Sequence, residues 1–127
     1  MAARLVTRRY DRALAPAGVT ANGYAILARL DLEGELSVGA LAGRLAMDRT
    51  TLSREIAPLI AAGLVEAGAD EGDRRRRLLS LSESGAARVS LARPLWAEAQ
   101  ASLEDGFGTA RAAGLVSELQ ALVEVVP

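Results

Sequence analysis

Asp48-Arg49-Thr50-Thr51-Leu52-Ser53-Arg54 opens a stretch that continues through Gly63-Leu64-Val65 and Asp73-Arg74-Arg75-Arg76-Arg77 to Leu79-Ser80-Leu81-Ser82. Its first part reads as a helix. Asp48 stands where a capping carboxylate would accept a first-turn N–H and complement the helix dipole. Leu52, Ile56, Leu59 and Ile60 recur at helical spacing and make one apolar stripe. Arg49, Thr50, Ser53 and Arg54 fall mostly on other faces. Pro58 lies inside the pattern. Lacking an N–H, it frees the carbonyl of Arg54 and is expected to bend the helix. Gly63 is expected to stop it, giving a helix over about residues 49–62.

Beyond Gly63, residues 64–67 and 78–81 are short strand-like runs around a Gly- and charge-rich turn, an antiparallel hairpin over about 64–81. Ser82 then caps a long helix over about 83–104, with Gly106 and Gly108 expected to break it. Upstream, Leu36-Ser37 opens a short helix with Ser37 as its N-cap. Leu41 and Leu45 of that helix face a core, Ala42 allows close packing, and Met47-Asp48 is a brief turn. Further out, residues 4–15 form a first helix with Leu5, Val6, Tyr10 and Leu14 on roughly one face, stopped by Pro16 and Gly18. A second helix runs from a Thr20 cap to about residue 32, with Tyr24, Ile26, Leu27 and Leu30 on its apolar side. A last amphipathic helix over 109–125 turns Leu115, Leu119, Leu122 and Val123 inward.

Composition narrows the chemistry. The 127 residues suit one domain, and 50% of them are hydrophobic, so a core is available. Aromatics are 3%, so that core must be Leu, Val, Ile and Ala, which tilts the chain towards a mostly α fold. There is no cysteine and no histidine. Disulfides, thiol chemistry, Cys/His zinc sites and His-dependent catalytic sets are excluded. No acidic cluster has metal-loop spacing, and no cofactor or enzyme activity is implied. No run approaches the roughly 20 apolar residues of a membrane span, and the basic N-terminus lacks the apolar core of a signal peptide. A cytoplasmic location in a bacterium or archaeon is expected. The net charge of -1 argues against nucleic acid when taken alone, but binding depends on a local patch. All 15 basic residues are Arg, which suits bidentate recognition of phosphate and guanine. A GC-rich genome explains the same bias.

Two helices joined by a tight turn, with a hairpin after the second, form a winged helix-turn-helix. That arrangement presents the N-terminal end of the second helix to a DNA groove. Arg49 and Arg54 supply cationic reach, and Thr50, Thr51 and Ser53 supply hydroxyls for phosphates or bases. In the hairpin, the four arginines 74–77 meet Asp70, Glu71 and Asp73, leaving a local balance of only +1. The wing is therefore not a simple basic patch. Asp73 is expected to hold a neighbouring arginine in a pose that enters a narrow minor groove. Taken singly these features are bland: a polar helix face is usually solvated, and an arginine run is more often a solvated turn than a site. Their joint order weighs towards DNA.

These residues also resemble those of the MarR-type winged-helix transcriptional regulators. The likeness rests on Leu41-Ala42 and Leu45; Thr51-Leu52-Ser53-Arg54 and Leu59; Gly63-Leu64-Val65; Asp73-Arg74-Arg75; and Leu79-Ser80-Leu81-Ser82-Glu83-Ser84-Gly85. Ser82 stands where the family usually has Thr. Pro58 and Arg93-Pro94-Leu95-Trp96 with Ala99-Gln100 resemble one subgroup of that family.

The resemblance implies a single MarR-like domain over 1–127, with dimerisation helices at 1–18 and 83–127 around a winged unit at 20–82. It implies a homodimeric repressor of transcription that binds a pseudo-palindromic site in double-stranded DNA and is released by a small phenolic or anionic effector. Arg49, Thr50, Thr51, Ser53 and Arg54 would face the major groove. Arg75 would be the minor-groove residue of the wing, with Asp73 its structural partner and Arg74 and Arg76 beside it. Leu5, Leu115, Leu119, Leu122 and Val123 would form the dimer seam. The terminal helices carry apolar faces that one small domain could hardly bury alone, which agrees; ordinary intrachain core is the plainer reading. Tyr10, Tyr24 and Trp96 read as core or interface, and no ligand site is assigned. Two rivals are a winged-helix module that binds protein without DNA, and a small enzyme using carboxylates and arginine alone; no residue pattern supports the second.

Overall fold

The computed structural model describes residues 2–107. The helix expected over 109–125, and with it Leu115, Leu119, Leu122 and Val123, lies outside them. The described chain is mostly helical with a small antiparallel sheet. Its elements are α1 (Ala2–Leu14), a 3-10 turn (Ala15–Ala17), α2 (Ala21–Glu33), β1 (Leu36–Ser37), α3 (Val38–Leu45), α4 (Arg49–Ala61), β2 (Val65–Asp70), β3 (Asp73–Leu81) and α5 (Glu83–Phe107). They divide into two compact units, Asn22–Leu91 and Met1–Ala21 with the chain from Ala92 onward.

The Asn22–Leu91 unit holds the helix-turn-helix and the hairpin. Tyr24, Ile26, Leu27 and Leu30 of α2 are buried, as are Leu41 of α3 and Leu52, Ile56 and Leu59 of α4. Each fully buried leucine contributes about 1.5–3 kcal/mol of apolar burial. Local bonds set the helix ends. Ser37 Oγ accepts the Ala40 N–H at 3.1 Å and caps α3. At the other end Ala46 adopts a left-handed φ of 53°, and Met47 N–H reaches back to the carbonyl of Ala42 at 3.0 Å. This closed turn points α4 away from α3. Asp48 caps α4 as expected, accepting the Thr51 N–H at 2.7 Å. The helix runs through Pro58 without a break. It ends where Gly63, at φ 75°, lets Leu64 N–H bond the Leu59 carbonyl at 2.9 Å.

The sheet is larger than the two short runs expected. Its order is β1-β3-β2, and β1 is a third strand: Leu36 pairs with Leu79 and Ser37 with Leu78. The extended backbone of Ser37 (φ -69°, ψ 158°) serves as helix cap and strand residue at once. The hairpin is also longer, because β2 reaches Asp70 and β3 begins at Asp73. The arginine run therefore lies in a strand, and the turn is only Glu71-Gly72. Pairing is regular from Val65–Leu81 to Ala69–Arg77 and then jumps to Asp70–Asp73. Arg74, Arg75 and Arg76 fall between those last two pairs, in a bulge that strengthens the twist at the wing tip.

Ser82 begins α5, accepting the Gly85 N–H at 3.0 Å. The helix passes Pro94 and includes Gly106, so it outruns the expected end near residue 104. Glycine at the last turn of a helix weakens it without forbidding it.

In the other unit, Tyr10 and Trp96 stack with ring centroids 6.1 Å apart. Arg9 donates to Ser102 Oγ at 2.6 Å, tying α1 to α5. The carboxylate of Asp11 accepts the Ala21 N–H at 2.6 Å and so supports the start of α2.

Candidate nucleic-acid interface

The winged unit carries the residues singled out in the sequence, and its charges are nearly balanced. Nine arginines and ten acids lie between Asn22 and Leu91, a net of -1. Part of that charge is paired away from α4. Glu33 accepts Arg44 Nε at 3.0 Å and Arg29 Nη1 at 3.3 Å, and Arg44 is the main reason its carboxyl titrates below the usual range. What remains for a ligand is a local arrangement on α4 and the wing.

On α4, Leu52, Ile56 and Leu59 face inward and leave Arg49, Thr50, Ser53 and Arg54 exposed. Thr50 and Arg54, four residues apart, share the side opposite Leu52. Thr51 differs. It is half-buried, its N–H caps the helix through Asp48, and its hydroxyl donates to the same carboxylate at 3.1 Å. Those two bonds, the backbone one foremost, hold the Asp48 carboxyl below its ordinary range, with a smaller contribution from the charge of Arg54. Arg49 also stands apart. Its guanidinium lies across Gly39 in the first turn of α3, where a Cβ on that glycine would sit 2.9 Å from Nη2.

At the wing tip, Asp73 Oδ1 accepts the backbone N–H of Arg75 at 3.0 Å. The bond orders the backbone that carries Arg75 and leaves its side chain exposed. Asp70 closes the turn by accepting the Gly72 N–H at 2.9 Å, and its second oxygen lies 3.8 Å from Arg76 Nε. Arg76 thus leans on its own strand pair. Arg74 lies on β3 beside them.

Arg77 was not singled out from the sequence. It shares the Leu79 face of β3 and rims a cleft of about 310 Å³ with Val38, Ser53, Ile60 and Leu79. Period-two counting back from Leu79 would have found it, had the arginine run been read as strand.

Of the seam residues, Leu5 is 66% exposed on α1. Among the described residues no group of acids is placed to hold a metal ion, and no helix is long and apolar enough to cross a membrane.

The sequence profile of the MarR family matches residues 17–76. The chain is similar to the transcriptional regulator MosR of M. tuberculosis, solved in complex with DNA, at 32% identity and a TM-score of 0.84, over 97% of this chain and 88% of that one. Two more distant structures share the fold. One is the C80S mutant of MarR from E. coli complexed with operator DNA (23% identity, TM-score 0.80, 98% of this chain and 87% of that one). The other is PcaV from Streptomyces coelicolor in complex with its natural ligand (20% identity, TM-score 0.84, 98% and 91%). No curated protein sequence matches the chain.

Proposed function

The chain belongs to the MarR family, and on that premise we propose that it is a sequence-specific DNA-binding repressor acting as a homodimer. The observation that carries this reading is the pairing, in one compact unit, of the exposed Thr50, Ser53 and Arg54 on α4 with a wing whose Arg75 is ordered by Asp73. Arg54 reads guanine edges in the major groove, Thr50 and Ser53 bond phosphates or bases, and Arg75 enters the adjacent minor groove. Arg74 and Arg76 flank it, and Thr51 contributes by holding the helix cap. Exposed Leu5 joins the distal residues Leu115, Leu119, Leu122 and Val123 in the dimer seam. A small phenolic or anionic effector releases the DNA by favouring a dimer whose recognition helices no longer match two half-sites about one helical turn apart.

The test is selection of bound fragments from the native genome, read by gel shift across a salt series. Repression predicts a pseudo-palindromic site overlapping a promoter, with binding that weakens steeply as salt rises. The net charge of -1 in the winged unit favours one rival, a module that docks a protein partner. A dimer that selects no fragment, or whose DNA binding ignores salt, would support that rival.

A further inference from the structure

We propose that Gly39 is a positioning residue for DNA binding: by lacking a side chain it seats Arg49 at the corner between α3 and α4, as a phosphate contact rather than a base reader. The inference rests on the DNA-binding reading above and divides its arginines by task.

Arg49 is the first residue of α4, one step after the Asp48 cap. Helical geometry turns it towards the flank near Leu52 and Ile56, away from the side that Thr50 and Arg54 share. Its guanidinium then needs a surface to lie on, and Gly39 provides it. Nη2, Cζ and Nε lie 2.9, 3.6 and 3.9 Å from where a Cβ of residue 39 would stand. The Nη2 end of the guanidinium therefore abuts the glycine. A Cβ there would meet Nη2 and require the guanidinium to shift.

The helix itself gives no reason for glycine at this place. Residue 39 is the second residue of α3, φ is not left-handed there, and alanine favours a helix more than glycine does. A purely structural account thus predicts that Gly39→Ala raises stability and changes nothing else. Among the described residues, Arg49 is engaged in no ion pair that would tie its charge to an acid of its own unit, unlike Arg29, Arg44 and Arg76. Its charge is available to an external anion, from a position against Gly39. An arginine so placed, short of the outward side of α4, meets the sugar-phosphate backbone. It adds affinity without reading sequence.

The experiment measures dissociation constants of the full-length protein for its selected site and for unrelated DNA, over a salt series, for wild type, Gly39→Ala, Arg49→Ala, the double variant and Arg54→Ala. Thermal melts confirm folding. Gly39→Ala is expected to melt no lower than wild type, to bind both DNAs several-fold more weakly, and to lower the slope of log affinity against log salt by about 0.9, one phosphate contact. Arg49→Ala should do the same, and the double variant should be no worse than either single one. Arg54→Ala should instead shrink the ratio between selected and unrelated DNA. The proposal is overturned if Gly39→Ala keeps the wild-type slope, if Arg49→Ala changes the ratio as Arg54→Ala does, or if the two single effects add. Wild-type protein that binds neither DNA defeats the DNA-binding reading itself, a distinct result.

Discussion

The hydroxyl of Ser82 donates to the carbonyl oxygen of Gly63 at 2.6 Å, joining the turn that ends α4 to the residue that starts α5. The Ser82 hydroxyl oxygen in turn accepts the Gly85 N–H, and the Ser82 N–H bonds the Leu64 carbonyl at 3.1 Å. Ser82→Ala removes the cap of α5 and the donor of Gly63 together. The expected loss is about 1–2 kcal/mol, seen as a lower urea midpoint with an unchanged slope. Ser82→Thr retains the hydroxyl and should keep most of the stability.

Glycines in helices of this unit differ sharply in what surrounds them. A Cβ on Gly85 would lie 2.6 Å from Leu81 Cδ1 and would overlap the carbonyl oxygen of Leu64. The obstacle is backbone, which cannot swing aside. Gly43 in α3 has nothing within 4 Å. Gly85→Ala should therefore destabilise by roughly 1–3 kcal/mol despite the better helix propensity of alanine. Gly43→Ala should stabilise by up to about 1 kcal/mol. Thermal melts of the two variants should move in opposite directions.

Acid should weaken the cap of α4. The Asp48 carboxyl titrates below its usual range because Thr51 N–H and hydroxyl bond its charged form. A depressed folded-state pKa means stability that is full above the unfolded value and is lost as pH falls through the folded one. Asp48→Asn keeps a capping oxygen without the charge. The gap in urea midpoint between wild type and Asp48→Asn should hold constant at neutral pH and narrow only below the ordinary carboxylate range. A gap that closes nearer neutrality would point to another group.

Several of these sites were legible in the sequence because one residue and its immediate neighbours decide them. Asp48 and Ser37 cap, and Gly63 stops, through bonds spanning three to five residues. The apolar stripe of Leu52, Ile56 and Leu59 needed only a period. What escaped depends on distant partners. β1 is two residues long and exists because Leu79 and Leu78 lie beside it, some forty positions away. The arginine run carries no strand signal of its own, and its placement in β3 follows from the pairs with β2 that bracket it, Ala69–Arg77 and Asp70–Asp73. Likewise, nothing local shows that Gly39 receives Arg49, or that Asp11 reaches the Ala21 N–H.

The wing offers the closing prediction, since Arg75 and Arg76 sit in one bulge but in different settings. Arg75 has its backbone held by Asp73 and its side chain exposed, whereas Arg76 leans towards Asp70 at 3.8 Å. A contact between exposed charges at that distance is weak but draws the side chain towards its own turn. Arg75→Ala should cost about ten-fold or more in affinity for the selected site, the scale of ~1–3 kcal/mol for one groove contact. Arg76→Ala should cost clearly less. Asp73→Ala removes an acid from the wing, so charge alone would tighten DNA binding. If its carboxylate acts by ordering Arg75, affinity should fall instead, and Asp73→Ala should add little once Arg75 is already alanine. A gel-shift double-mutant cycle decides between the two, because tighter binding by Asp73→Ala, with or without Arg75, would mean that the acid is only an opposing charge.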